Sequence, residues 1–244
     1  MPEARSGPAG AWRLPVATWN IHGWAGWDGL PRPERTLAHL RGLGAEVVAL
    51  QEVTLAEAGD EGAGAAAELG RATGLLPLWG PTFTKPGGRF GNVLLTAHPV
   101  RQVALLDLSL PGREPRGAIL AELEVAGRAV RVAATHLGLN RGERRQQVAR
   151  LWGHLQPDVP YPTIVLGDFN QWPGVGPLAA FRRSGYGLGP RLCTFPARRP
   201  VLALDRVLVR APGCRVQWKV DNRGAVGQIS DHLAVQAVLE SPGG

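Results

Sequence analysis

The chain reads as an α+β protein, a sandwich of mixed sheets covered by helices. Three observations predict it. Strand-length apolar runs recur from Val16 to Leu239, three longer segments carry apolar residues at helical spacing, and no linker-like stretch divides the chain. With 244 residues and 44% hydrophobic content there is enough apolar material for one sizeable core. The expected organisation is a single domain over residues 14–240. A flexible arm, rich in Pro, Gly and Ala, precedes it over residues 1–13, and residues 241–244 fray in the same way.

Each element follows in order. Val16-Ala17-Thr18-Trp19 and Val47-Val48-Ala49-Leu50-Gln51 are strand-like. Residues 33–44 form a helix, with Leu37, Leu40 and Leu43 at helical spacing and Pro33 near its start. Residues 61–73 are a second, Ala-rich helix. Strands are expected at 75–79, 92–96, 103–108, 118–125 and 128–134, with Gly127 supplying a hairpin bend. Residues 141–155 are the clearest helix: Val148, Leu151, Trp152 and Leu155 share a face, and Arg141, Arg144, Arg145 and Arg150 lie largely off it. Strands at 163–166, 202–209 and 233–239 complete the series.

Composition narrows the function. The formal charge is +7, and Lys occurs only at Lys85 and Lys219, so the basic residues are nearly all Arg. That sign favours a phosphate-bearing partner, though it also fits a solvated basic surface. No apolar stretch approaches the length of a spanning helix, so no transmembrane segment is expected. Cys193 and Cys214 lack metal-site spacing and no secretory signal is present, which points to free thiols and the cytoplasm. There is no Gly-Lys-Ser/Thr loop, no Gly-rich dinucleotide turn and no serine elbow, so kinase, dehydrogenase and α/β-hydrolase chemistry drop out.

The polar residues that end these runs carry the chemistry. Asn20 closes the first strand, Glu52 the second and His136 the run 130–135, while Gly167-Asp168-Phe169-Asn170 follows residues 163–166. Ser230-Asp231-His232 opens the last run, and Asp205 sits within residues 202–209. Buried strands need Val, Ile and Leu for packing, not acids, amides and histidines at their ends. Asp168 and Asn170 share a face in extended chain and can orient a water and bind a phosphate, or form an Asx turn. Glu52 fits a hard cation such as Mg²⁺ or Mn²⁺, or a salt bridge to Arg. His136 and His232 can exchange protons near neutral pH, and Asp205 suits a histidine partner or an arginine.

In this order, Thr18-Trp19-Asn20-Ile21-His22-Gly23, Leu50-Gln51-Glu52, Thr135-His136-Leu137, Gly167-Asp168-Phe169-Asn170, Leu204-Asp205-Arg206-Val207 and Ser230-Asp231-His232 resemble the endonuclease/exonuclease/phosphatase superfamily. The resemblance spans residues 14–239. It implies a four-layer α/β/β/α sandwich of two packed mixed sheets, with one site at their shared edge. It assigns metal binding to Glu52, Asn20 and Asp231, and phosphate contact to Arg116, Asn170 and His136. Asp168 would orient or deprotonate the attacking water. His232, oriented by Asp205, would stabilise the transition state or act as acid/base, and Asp231 would lie near metal or nucleophile. Asn92 is a weaker candidate for the site wall. The implied protein is a monomeric Mg²⁺-dependent phosphoric ester hydrolase, first a nuclease acting on DNA or RNA. A phosphodiesterase or phosphatase on a phospholipid or small phosphorylated metabolite comes second, and a non-catalytic binding module third. Trp24, Trp27 and Trp172 lie beside these motifs and suit base stacking or lipid contact.

Overall fold

The computed structural model describes residues 10–55, 63–155, 159–172, 176, 178–222 and 228–242. In chain order they form β1 (Trp12–Asn20), α1 (Pro33–Leu43), β2 (Val47–Leu55), α2 (Ala63–Thr73), β3 (Leu76–Lys85), β4 (Gly88–Thr96), β5 (Val100–Asp107), β6 (Gly117–Val125), β7 (Arg128–His136), α3 (Arg141–Leu155), β8 (Thr163–Asp168), α4 (Leu178–Arg183), β9 (Asp205–Arg210), β10 (Arg215–Asp221) and β11 (Ala234–Ser241). One sheet has six strands in the order β10-β11-β1-β2-β4-β3, the other five in the order β5-β6-β7-β8-β9. Both are mixed: β1 runs parallel to β2 and β7 parallel to β8, while the other pairs are antiparallel.

Side-chain alternation builds the layers. On β1, Leu14 and Val16 face the space between the sheets, where they meet Val47, Ala49, Leu94, Ile119, Val132, Ile164 and Val207. Ala17 and Trp19 face the other way and pack under Leu40, Leu43 and Leu69 of α1 and α2. Beyond the second sheet, Ala133, Val165 and Leu208 meet Val148 and Leu151 of α3 and Phe181 of α4. The result is the expected sandwich, with helices outside both sheets.

Several boundaries differ from expectation. Trp12 and Arg13 do not belong to a loose arm: they pair with Ser241 and Glu240, so β1 starts earlier and β11 runs later than the sequence suggested. Residues 1–9, 61–62 and 243–244 lie outside the described residues. β9 begins at Asp205, because Leu202 bonds back to Phe195 before the strand starts, so Asp205 opens the strand instead of sitting within it. β3 and β4 are longer than their apolar cores, since Gly80, Pro81 and Gly91 break up the strand signal. β10 was not anticipated. It is an edge strand alternating Arg215, Gln217 and Lys219 with Val216, Trp218 and Val220, a pattern diluted by charge. No helix among the described residues is long and apolar enough to cross a membrane. Cys193 and Cys214 are free thiols.

Candidate active site

The alternation that builds the core also aims the polar residues. Asn20 has the same parity as Val16, His136 as Val132, Asp168 as Ile164, and Asp205 as Val207. Each therefore points between the sheets. The register brings them to one edge, because Asn20 pairs with Gln51, His136 with Asp168, and Asp168 with Asp205.

Glu52 breaks the alternation. By parity it belongs with Val48 and Leu50 on the helix side. A bulge sets Gln51 and Glu52 against β4 between the pairs Leu50–Val93 and Val53–Gly91, and Glu52 takes a left-handed backbone, φ 57°. This turns the carboxylate to the cleft, where Oε1 accepts from Asn20 Nδ2 at 2.8 Å. A non-glycine residue in that region is strained, and such strain concentrates at functional sites. Gly167 has a related role: a Cβ there would come within 1.8 Å of Thr135 O, so only glycine lets β8 close on β7 and set Asp168 beside His136.

The resulting network is continuous. Asn20 Nδ2 also donates to Asp168 Oδ2 at 3.2 Å, and Asn20 Oδ1 accepts from the backbone N–H of His22 at 3.0 Å. Asp168 Oδ1 accepts from Asn170 N at 2.8 Å, the Asx turn weighed above, with Asn170 left-handed at φ 47°. Asn170 Nδ2 donates to Leu137 O at 2.8 Å and lies 3.2 Å from His136 Nε2. His136 Nδ1 is 3.2 Å from Arg116 Nη1, which also meets Glu114 Oε1 at 2.8 Å. His232 Nδ1 is 2.8 Å from Asp205 Oδ2, and Thr194 Oγ1 donates to that oxygen at 2.6 Å. Ser230 Oγ accepts from His232 N at 3.0 Å and donates to Asn20 O at 2.6 Å, which ties the start of β11 to the end of β1.

Asn20, Glu52, Arg116, His136, Asp168, Asn170, Asp205 and His232 thus meet in one cluster. Asp231 lies at its rim, with Oδ1 3.8 Å from His22 Nδ1, and Asn92 is buried on β4, with Nδ2 donating to Gly117 O at 3.1 Å. His22, close to Asn20 in sequence, stands at the same rim, and Thr194 joins the site with no motif to mark it. Thr194 sits in a loop rich in Gly, Pro and Arg, and its one signal is a hydroxyl flanked by Cys193 and Phe195. Of the tryptophans, Trp24 is partly buried and donates Nε1–H to Thr54 O, whereas Trp27 and Trp172 are 55% and 57% exposed.

Burial and neighbours divide the protons. Burial, then Asp205, push the Asp168 carboxyl up to about 6 against the pull of His232. Burial works against a charged His232, yet Asp205, through charge and hydrogen bond, with Asp168 and Asp231, pushes it up to about 10. Burial, then Arg116 and His232, hold His136 well below the usual histidine range. Near neutral pH the site pairs an imidazolium with a largely ionised carboxylate and a neutral imidazole.

A hard cation fits these donors. Glu52 offers a carboxylate at some backbone strain, and the Oδ1 atoms of Asp205 and Asp231 are buried with no hydrogen-bond partner. Ligand atoms of Asp168, Asp205 and His232 also lie within 4.8 Å of one another, although the Asp205–His232 hydrogen bond already occupies the histidine's Nδ1.

The profile of the Endonuclease/Exonuclease/phosphatase family matches residues 17–232. The Escherichia coli (strain K12) protein YbhP, itself uncharacterized, is 34% identical over 174 residues, covering 66% of this chain and 67% of its own. A Beutenbergia cavernae structure named for the same family superposes with a TM-score of 0.77 at 24% identity, covering 95% of this chain and 72% of that one. A Bacteroides thetaiotaomicron mannosyl-6-phosphatase does so with a TM-score of 0.73 at 14% identity, over 93% and 99% of the chains. Truncated Caenorhabditis elegans TDP2 gives 0.68 at 17% identity, over 93% and 97%. The structural likenesses carry the fold, and the profile runs through every motif from β1 to His232, so the chain belongs to the endonuclease/exonuclease/phosphatase family.

Proposed function

We propose that the protein is a divalent-cation-dependent phosphodiesterase whose substrate is DNA or RNA, cleaved by in-line attack of water. The observation that carries this reading is the line Asp205–His232–Asp168, in which His232 is held by 2.8 Å to one carboxylate and faces the other at 3.9 Å, beside Glu52 and Asn170. A proton donor and a proton acceptor thus stand side by side at one opening, where the first can reach a phosphoryl oxygen and the second the nucleophile.

Asp168 takes a proton from the water as its oxygen bonds to phosphorus. The bond to the leaving oxygen breaks with its electron pair staying on that oxygen, which takes a proton from solvent, and His232 Nε2–H, with Asp205 fixing the ring, donates to the charge that builds on the phosphoryl group. His136 accepts from Arg116 at Nδ1. With Arg116 behind Nδ1 and Asp168 Oδ2 3.6 Å from Nε2, the proton is assigned to Nε2, and Nε2–H and Asn170 Nδ2 can both turn to the phosphate. Glu52 would hold Mg²⁺ or Mn²⁺, with Asn20 setting its carboxylate and Asp231 in reserve at the rim. The bound cation supplies Lewis-acid neutralisation of the phosphate.

Support for nucleic acid comes from the charge of +7 and from Trp27, exposed at the rim with the Arg198 guanidinium 4.4 Å over its ring. A small phosphorylated metabolite is the second reading, favoured by the mannosyl-6-phosphatase that shares the fold. On the first reading the protein works as a monomer in the cytoplasm, in keeping with its two free thiols.

The test incubates purified protein and Mg²⁺ with plasmid, single-stranded oligonucleotides, sphingomyelin, a sugar phosphate and an aryl phosphodiester. Cleavage of nucleic acid and aryl diester is expected, with Glu52→Gln losing both the activity and the Mg²⁺ heat in calorimetry. Wild-type turnover of the sugar phosphate alone would select the second reading. Undiminished Mg²⁺ affinity in Glu52→Gln would remove Glu52 from the metal site.

A further inference from the structure

Beside the catalytic edge, a groove of about 550 Å³ runs between α4, the loop through Gly189 and the start of β9, lined by Arg182, Arg183, Arg191 and Arg206 and, among the described residues, by no acid. A second groove of about 550 Å³ lies between α4 and α3. It shares Gly176, Ala179 and Arg183 with the first and adds Arg141 and Arg145. Together they form one basic track over the outer helix layer.

Three features mark it. Elsewhere some exposed arginines find acids, Arg13 with Glu240, Arg71 with Glu68 and Arg101 with Glu124, and others such as Arg35, Arg41 and Arg150 reach an amide or carbonyl oxygen. Among the described residues none of the six in the track forms an ion pair, and Arg206 reaches only the carbonyl of Pro190, with Nε buried and unpartnered. Burial, then the charge of Arg191, lowers the pKa of the Arg206 guanidinium against the pull of Asp205, so the fold holds two cations close together. The track also opens at the site: Arg206 follows Asp205 on the opposite face of β9, Trp172 at the groove wall comes just after Asn170, and α3 starts just after His136.

We propose that this track is a second binding site, one that holds the phosphodiester backbone of a nucleic-acid strand beyond the bond being cleaved. The inference rests on and deepens the reading above, because a strand held here makes the substrate a polymer and not a small ester. Exposed guanidiniums along a groove, with Arg206 partly buried at its floor, suit a strand laid along it, and Trp172 offers a face for a base. A lipid surface would instead meet protruding apolar side chains around the cations.

Anisotropy of a labelled single-stranded oligonucleotide, in EDTA to prevent cleavage and over a series of salt concentrations, tests it. Arg183→Ala and Arg191→Ala should each weaken binding by about tenfold and lower the slope of log K against log salt by about 1. Arg101→Ala, remote and paired with Glu124, should change neither, and all three should retain wild-type kcat on the aryl diester. Unchanged affinity and slope in both groove variants would overturn the proposal. So would loss of binding to anionic phospholipid vesicles with oligonucleotide binding intact. Wild type that binds as expected but cleaves no phosphate ester would overturn the hydrolytic reading and leave the groove standing. Cleavage of the aryl diester with groove variants that bind like wild type would do the reverse.

Discussion

His136 and His232 face the same atom, Asp168 Oδ2, at 3.6 and 3.9 Å, and both are buried. Their other ring nitrogens meet opposite charges: Nδ1 of His232 meets Asp205 Oδ2 at 2.8 Å, and Nδ1 of His136 meets Arg116 Nη1 at 3.2 Å. One ring is therefore held as an imidazolium and the other as a neutral imidazole. Two copies of one residue, equally buried, take different roles because of what stands behind them. A site with two imidazolium rings would trap the phosphate in its ground state. A site with two neutral rings would lack a donor strong enough for the charge that develops.

The His232 side should carry the larger effect. His232→Asn removes both the charge and the Nε2 donor, and kcat on the aryl diester is expected to fall by about 10³–10⁴-fold. Because Asp205 acts through the ring, Asp205→Asn should cost little more in that background than its absence there implies, so the double variant should match His232→Asn alone. Additive losses in kcat would break the pair. The pH profile sharpens the same point. Activity needs ionised Asp168 and protonated His232, so kcat/KM should rise as pH passes about 6 and fall as it nears about 10. Asp205→Asn should pull the alkaline limb down toward the ordinary histidine range, whereas an alkaline limb that stays put would separate it from His232.

The His136 side should matter less. His136→Asn removes one hydrogen-bond donor from the phosphate wall and no charge, so about a 10²-fold loss in kcat is expected, with both limbs of the pH profile unmoved. A loss as large as that of His232→Asn would mean that the two rings do not divide the work as their partners suggest.

Much of this site was legible because strand ends are legible. Apolar runs ending in Asn20, His136 and Asp168 gave both the strand and the direction of its last side chain. The partners behind the two histidines were harder to read. Asp205 was weighed as a histidine partner because an acid in an apolar run needs one. Arg116 was assigned to the phosphate, and its contacts to His136 and Glu114 come from a loop that no local pattern marks. Thr194 and His22 come to the site through loops, whose course depends on tertiary contacts such as Ala197 N–H to Asp231 O at 2.7 Å and not on any local period. The bulge at Glu52 left no mark in the sequence beyond an acid after an apolar run, yet it decides which face the carboxylate takes. β10 and the Gly- and Pro-rich parts of β3 and β4 were missed for a similar reason: charge and glycine dilute the alternation that marks a strand.

Arg116→Met is the mildest test of the division and the most direct. The guanidinium is one of the causes that keep His136 neutral, second to burial. Its removal should raise the His136 titration, which histidine side-chain NMR follows residue by residue, without bringing it to the ordinary value, because burial remains. Nδ1 would then lack the donor that fixes the tautomer, and kcat should fall by about tenfold or less, the worth of one charge-assisted hydrogen bond. The sign is what decides. If His136 titrates lower in Arg116→Met, or does not move, the charge behind the ring is not what holds it neutral. Burial would then hold both rings down alike, and Asp205 behind His232 would by itself set the difference between the two histidines.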